Sequence, residues 1–159
     1  MKLAQQLANR LNEVLINGKW VTGTNIKSEI INLDWKTATK KINNLNSIAD
    51  LVFHIDYYIA GVLNVLEGGD LEIKDKFSFN YPPIKSKKDW NALVSKFCKD
   101  SEKFITLVSN FTDKELKNSF VNPKYGDFYR NINVIIEHSY YHFGQIILLK
   151  KMLKPITKD

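Results

Sequence analysis

The chain contains three histidines whose positions suit the binding of one metal ion. His138 and His142 are four residues apart, so on a helix their rings would project from the same side, about 40° apart around the axis. His54 lies in the most hydrophobic stretch of the chain. A buried neutral imidazole needs a partner for each ring nitrogen, and adjacent protonated imidazoles repel each other. A divalent cation removes both difficulties, so we predict a metal site formed by these histidines.

Three neutral imidazole ligands indicate a reactive centre. They leave a divalent cation its full charge and at least one open coordination position, which is typical of catalytic sites and not of closed structural ones. A thiol or a water molecule at that position would lose its proton more readily. The ligand set predicts either transfer of a thiol to an electrophile or hydrolysis, and does not choose between them. A non-catalytic ligand-binding module is the third possibility, and without a metal each ring could simply bond to a backbone carbonyl or an amide.

Several polar side chains fall near the histidines on the predicted helices. Tyr58, Asn131 and Gln145 share the inward sides of these helices, so we predict that they contact substrate or orient the metal ligands. Asp50 lies one turn before the first histidine and is a further candidate partner, although its position also fits a helix-capping role. Glu137 points away by its turn angle. No carboxylate therefore stands out as a general base.

Apolar residues at helical spacing predict four long helices that must position these side chains. We predict helices from Leu3 to the stop at Asn17-Gly18, from Ile48 to Leu66, from Ser86 to about Asn110, and from Phe128 to Leu153 before Pro155. Residues 20–46 form a long connection with a short helix opening at Asp34, residues 77–83 form a surface crossing, and Thr112 with Glu115 caps an extra turn. The predicted fold class is all-α, a four-helix bundle with a long connection between helices one and two.

Length and composition indicate one domain spanning residues 1–159, because a chain of this size buries a sufficient core without disulfides or structural metals. The single cysteine, Cys98, excludes an intrachain disulfide and paired-cysteine zinc motifs, and we expect it to be inert packing. Residues 48–66 contain charged and histidine side chains, so they read as a core helix and not a membrane span. The N-terminus lacks the apolar region of a secretion signal. We therefore expect a cytoplasmic protein with no membrane partner.

The net charge of +6 raises the question of nucleic-acid or anionic membrane binding. The basic runs at residues 85–88 and 150–151 are short and fall at predicted helix ends, where cations also favour the helix dipole. No recognised nucleic-acid-binding motif accompanies them. We therefore expect no nucleic-acid partner.

Two segments carry a resemblance to a known family. The run Glu137-His-Ser-Tyr-Tyr-His-Phe-Gly-Gln-Ile146 resembles the last-helix signature of the DinB-like superfamily, in which a histidine, three residues and a second histidine are followed by one residue and Gly-Gln. Asn46-Ser-Ile-Ala-Asp-Leu-Val-Phe-His-Ile55 is similar to that family's second-helix motif. The likeness covers nearly the whole chain in helix order and loop placement, and the two motifs together use every histidine present.

The resemblance implies a four-helix bundle in up-down-down-up order, usually homodimeric, with one zinc or nickel ion bound by His54, His138 and His142. Similar proteins include metal-dependent S-transferases that use a low-molecular-weight thiol such as bacillithiol or mycothiol, and some hydrolases and isomerases, while many have no known activity. The implied substrate is a small electrophile. Phe143 departs from the family pattern, where an arginine is frequent, so any substrate contact made by that arginine is in doubt here.

Overall fold

The computed structural model of the protein describes residues 1–154, which are mostly helical and contain no β-strand. Its helices are α1 (Leu3–Asn12), α2 (Ile26–Ile30), α3 (Trp35–Thr39), α4 (Ile48–Leu66), α5 (Lys87–Ser109), α6 (Asp113–Leu116) and α7 (Phe128–Leu153). A π-helical turn at Glu13–Asn17 extends α1, and 3-10 turns lie at Asp75–Phe77 and Pro123–Tyr125. The all-α prediction is confirmed for this part of the chain. The predicted stop at Pro155 and the end of the predicted domain lie outside the described residues.

Side-chain N-caps mark the start of the long helices α4, α5 and α7. The Oγ of Ser47 accepts a hydrogen bond from the backbone N–H of Asp50, and the Asp50 carboxylate accepts one from the N–H of Ser47, which forms a reciprocal capping box. At α5 the Oγ of Ser86 accepts a hydrogen bond from the N–H of Asp89, and the Asp89 carboxylate accepts one from the N–H of Lys85. Asp127 caps α7, a start that the sequence pattern did not single out. Since these caps satisfy otherwise unpaired N–H groups, they fix where each helix starts.

The connection between α1 and α4 is more ordered than predicted. The short helix expected at Asp34 is α3, but α2 was not predicted. Asn25 caps α2 by accepting a hydrogen bond from the N–H of Ser28, and Ile26 and Ile30 are fully buried beneath it. An asparagine cap followed by two isoleucines four residues apart was the available signal.

The hydrophobic core lies between the four longest helices. α4 packs against α5 and α7, and α1 packs against the same two helices. The largest buried side chains include Trp90, Phe97, Phe104 and Phe143. By length and composition α4 could cross a membrane, but 67% of its most apolar window is buried within the fold. This burial is what a core helix requires, and the contact between α4 and α7 brings the histidine-bearing helices together.

Candidate metal centre

The three histidines meet at the contact between α4 and α7. His54 lies near the middle of α4, and its residue is 8% exposed. His138 and His142 lie one turn apart near the middle of α7, with the first half-buried and the second buried. Their rings are close enough to touch, since the ring centroids are 4.4 to 5.0 Å apart. The structure therefore brings together all three residues that the sequence nominated as metal ligands.

The Nε2 atoms of the three rings converge. Nε2 of His138 lies 3.1 Å from Nε2 of His54 and 3.0 Å from Nε2 of His142. The ligand atoms that the rings offer all lie within 4.8 Å of one another. Two nitrogen ligands about 2.0–2.1 Å from one ion lie roughly 2.9–3.4 Å apart, for angles of about 90–109° at the ion. The observed separations from His138 fall in this range.

Two of the rings, those of His54 and His142, are fixed in one tautomer by a hydrogen bond at Nδ1. Nδ1 of His142 lies 2.9 Å from Oε1 of Gln145, and Nδ1 of His54 lies 3.3 Å from the carbonyl oxygen of Ser78. Amide and carbonyl oxygens only accept hydrogen bonds, so each Nδ1 must carry the hydrogen. Nε2 of both rings is then unprotonated and presents a lone pair to His138.

Protons alone do not satisfy this cluster. A neutral His138 can donate at most one hydrogen from Nε2, but two lone pairs, from His54 and His142, point at that atom. A single divalent cation would accept a lone pair from each of the three rings at once. The neutral hydrogen-bond acceptors around it, a side-chain amide oxygen and a backbone carbonyl oxygen, are typical outer partners of metal-bound histidines. The residues present thus fit one divalent ion, whose identity the nitrogen ligands do not specify.

Burial favours the neutral form of all three imidazoles. Loss of hydration lowers the pKa of His54, His138 and His142, since the charged form is disfavoured away from water. The neighbouring imidazoles lower the pKa of His138 further, to about 4. Neutral rings are the form that binds a metal ion.

Aromatic side chains surround the histidine cluster. The ring of Phe79 stacks on His54, with centroids 4.2 Å apart and planes 12° from parallel. The edge of Tyr58 packs against His54 and His138 at centroid distances of 5.1 and 5.0 Å. Tyr141, which is 65% exposed, packs against His142. The surroundings of the Nε2 atoms are therefore largely apolar, which strengthens electrostatic interactions with anything bound there.

The other polar residues nominated from the sequence have different positions. Gln145 contacts His142 directly, and Tyr58 packs against the cluster while its hydroxyl donates to Asp75. The amide of Asn131 instead donates to the backbone carbonyls of residues 125 and 127, two turns away from the cluster. The Asp50 carboxylate accepts hydrogen bonds from the Ser47 backbone and the Tyr81 hydroxyl, as a capping residue does. Asn131 and Asp50 thus support the start of their helices.

Sequence reasoning missed the contribution of the segment between α4 and α5. Residues 77–83 were predicted as a surface crossing, but Ser78 is only 3% exposed and its carbonyl holds His54. The flanking Phe77 and Phe79 are partly exposed, which agrees with the prediction that this segment lies at the surface. A backbone carbonyl leaves no trace in the residue types, so no sequence signal could have identified it. Gly61 on α4 makes room for the Ile73 side chain of this segment.

Comparisons with protein-family models, with curated proteins and with solved structures find no match to this chain. The site itself therefore supplies the functional information. Three neutral imidazoles from α4 and α7 converge through Nε2, and two of them are oriented by neutral hydrogen-bond acceptors. This arrangement could hold a metal ion.

Proposed function

We propose that the protein binds one divalent metal ion, zinc or nickel, and acts as a metal-dependent S-transferase that joins a low-molecular-weight thiol to a small electrophile. The observation that carries this proposal is the convergence of three Nε2 atoms, with His138 3.1 and 3.0 Å from the other two. When bound, such an ion supplies Lewis-acid activation of a thiol or of water. Its setting would be the cytoplasm, in keeping with a single, half-buried cysteine.

The proposal extends to the fold family. Helices α1, α4, α5 and α7 pack as neighbours around one core, and the histidines fall on the second and fourth of these helices. Both features support assignment as a DinB-like four-helix bundle in up-down-down-up order. The buried Phe143 takes the place of the frequent arginine and packs in the core, so this chain would recognise its substrate without that cation.

The hydrogen-bond partners of the histidines affect the reaction that the site would favour. His54 and His142 are oriented by a carbonyl and an amide, which carry no charge. Neutral partners leave the positive charge of a bound ion undiminished, and this favours an anionic ligand, either a thiolate or a hydroxide. Hydrolysis normally also requires a carboxylate or imidazole base beside the reacting water. The nearby Asp75 carboxylate is instead engaged by a hydrogen bond from the Tyr58 hydroxyl, so we favour transfer of a thiol over hydrolysis.

The chain's own residues would orient the reactants and exclude water. Ser78 and Gln145 fix two imidazoles in the tautomer that presents Nε2. Phe79 and Tyr58 cover the His54 ring from different sides, at centroid distances of 4.2 and 5.1 Å. Their apolar surfaces limit hydration of the site and provide contact area for an apolar electrophile.

The metal content of untagged protein tests the first half of the proposal. We expect about one divalent ion per chain by elemental analysis, and loss of that ion in His54→Ala. Asn131→Ala is the matched control, because that amide bonds to backbone carbonyls away from the histidines. Circular dichroism should show that both variants remain helical. Equal metal content in His54→Ala and wild type would refute the site.

Measurements of turnover test the second half of the proposal, the S-transferase activity. Metal-loaded protein is mixed with a low-molecular-weight thiol and a fluorogenic electrophile, and conjugate formation is followed before and after chelation. We expect metal-dependent conjugation that His142→Ala abolishes. Metal-dependent cleavage of simple esters or amides, without conjugation, would identify a hydrolase. Metal binding without either reaction would indicate a non-catalytic binding module.

A further inference from the structure

The segment between α4 and α5 runs along the histidine face of α4. Residues 73–81, here called the clamp segment, lie antiparallel to the helix. The clamp begins where Ile73 packs on Gly61, so closely that a Cβ atom added to the glycine would lie 2.5 Å from the isoleucine side chain. One turn earlier on α4, the Tyr57 hydroxyl donates to the carbonyl of Lys74 at 3.1 Å and accepts from its N–H at 2.9 Å. The first residues of the clamp are thereby bound to the helix.

Two further tyrosines hold the clamp on either side of Ser78. The Tyr58 hydroxyl on α4 donates to Oδ1 of Asp75 at 2.7 Å. The Tyr81 hydroxyl on the clamp donates to Oδ1 of Asp50 on α4 at 2.8 Å. These anchors are three residues before and three residues after Ser78, whose carbonyl lies between them at 3.3 Å from Nδ1 of His54.

Ring packing adds to the hydrogen bonds. Tyr81 stacks on Phe53 with centroids 4.7 Å apart, and Phe79 stacks on His54 with centroids 4.2 Å apart. The imidazole of His54 is therefore held by a hydrogen bond at its Nδ1 edge and by an aromatic ring on its face. Both contacts come from the clamp.

We propose that the clamp segment is part of the metal centre, because it fixes the orientation and tautomer of His54, with Tyr58 and Tyr81 as its positioning residues. This inference rests on the proposed metal binding. Without the Ser78 carbonyl, Nδ1 of His54 would lose the acceptor that holds the hydrogen away from Nε2. The ring would then be free to turn, and the site would retain two well-placed ligands, both on α7.

The decisive experiment compares metal binding by wild type and the double variant Tyr58→Phe/Tyr81→Phe. Both substitutions keep the rings and remove only the hydroxyls that anchor the clamp. We expect the dissociation constant for zinc, measured against a competing chelator, to rise about 10–100-fold, because release of the clamp withdraws the Ser78 carbonyl, the outer partner of His54. Tyr129→Phe is the matched control on α7, with a partly exposed ring away from the clamp, and should bind zinc like wild type.

X-ray absorption separates positioning from general destabilisation. The zinc-loaded wild type should show three imidazole ligands, and the double variant should show two. A general loss of stability would lower the melting temperature of the metal-free protein without changing the ligand count. If the double variant binds zinc as tightly as wild type with three imidazoles, the inference is wrong although the proposed function stands. If wild type binds no zinc or nickel, both are wrong.

Substitutions at Asp75 give a second test that does not alter an aromatic ring. Asp75→Asn keeps an oxygen that can accept the Tyr58 hydrogen bond, and Asp75→Ala removes it. We expect zinc affinity close to wild type in Asp75→Asn and several-fold weaker affinity in Asp75→Ala. Equal weakening in both variants would mean that the negative charge of Asp75 matters and not its hydrogen bond, which would overturn the positioning role.

Discussion

At the scale of single residues, the histidine cluster is poorly satisfied by protons and well satisfied by a cation. Two Nε2 lone pairs, from His54 and His142, face one nitrogen of His138 at 3.1 and 3.0 Å. The single hydrogen of a neutral His138 can bridge only one of these gaps, and an added proton would place an imidazolium charge among closely packed, buried rings. The protein therefore holds three imidazoles in a form that is costly without an ion. This cost should be measurable in the metal-free protein.

The first prediction concerns pH. In the folded, metal-free protein the histidine pKa values are lowered, that of His138 to about 4 from 6.5. The unfolded chain therefore binds protons first as the pH falls. The stability that these neutral rings support is complete above pH 6.5 and is lost as the pH falls toward about 4. Urea denaturation in the presence of a chelator should show a midpoint that falls across this interval.

His138→Gln provides the comparison for that prediction. The variant lacks the ring with the most strongly lowered pKa, so its urea midpoint should depend less on pH between 6.5 and about 4. The difference between wild type and variant is the quantity to measure, because other groups titrate in the same interval. Parallel pH profiles for the two proteins would contradict the prediction.

A second prediction concerns Asp56, which is buried on the opposite side of α4. Its Oδ2 accepts a 2.6 Å hydrogen bond from Lys96, but Oδ1 is buried and has no hydrogen-bond partner within residues 1–154. Burial raises the pKa of Asp56 to about 6, because the loss of hydration outweighs the attraction of Lys96. The pKa of Asp56 is shifted upward, whereas those of the histidines are shifted downward, so its effect on the pH dependence of stability is opposite. The stability that the neutral Asp56 supports is present below pH 3.8 and is lost as the pH rises through about 6.

The substitution Asp56→Asn should therefore stabilise the protein at neutral pH. We expect a gain of about 1–3 kcal/mol at pH 7, because the buried negative charge is removed. Lys96 keeps its ion pair with Asp100. The gain should vanish near pH 4, where the wild-type carboxyl is already neutral. Thermal denaturation of both proteins at pH 4 and pH 7 measures the effect, and a variant less stable than wild type at pH 7 would show that the Lys96 ion pair dominates.

At the scale of elements, the sequence specified the helices better than their connections. The serine caps at residues 47 and 86 and the apolar stripes between them are local signals, so the bounds of α4, α5 and α7 followed directly. The histidine cluster could be predicted because side chains at defined angles around two helices meet when the helices pack. The clamp could not be predicted, since its role depends on a backbone carbonyl and on hydrogen bonds between residues as far apart in sequence as Asp50 and Tyr81, which are separated by 31 positions.

Gly61 tests the packing of the clamp on α4. Alanine in place of glycine within a helix normally stabilises it by about 1 kcal/mol. Here the added Cβ would lie 2.5 Å from Ile73, so we expect Gly61→Ala to destabilise the protein by about 1–3 kcal/mol instead. Urea denaturation measures the change. Adding Ile73→Ala to Gly61→Ala should recover part of the loss, and an absence of recovery would place the strain elsewhere.

At the scale of the whole molecule, α7 carries more apolar surface than the core covers. Val134, Tyr141 and Leu148 are seven residues apart and therefore share one side of the helix. All three are exposed, with Leu148 at 56%. Leu45 from the connection is exposed too and lines a cavity of about 200 Å³ together with Leu148. An apolar stripe at heptad spacing is typical of a helix that packs against a partner helix.

A second copy of the chain would cover this stripe if two α7 helices packed about a two-fold axis, each against the other's apolar residues. We therefore predict a homodimer that Leu148→Glu dissociates. Burying a leucine contributes about 1.5–3 kcal/mol, and the variant would place two uncompensated carboxylates at the interface, so the dissociation constant should rise more than about 100-fold. Light scattering after size exclusion measures the mass. Val121→Glu, at an exposed site in the loop between α6 and α7, should remain dimeric. A monomeric wild type at micromolar concentration would contradict the predicted homodimer.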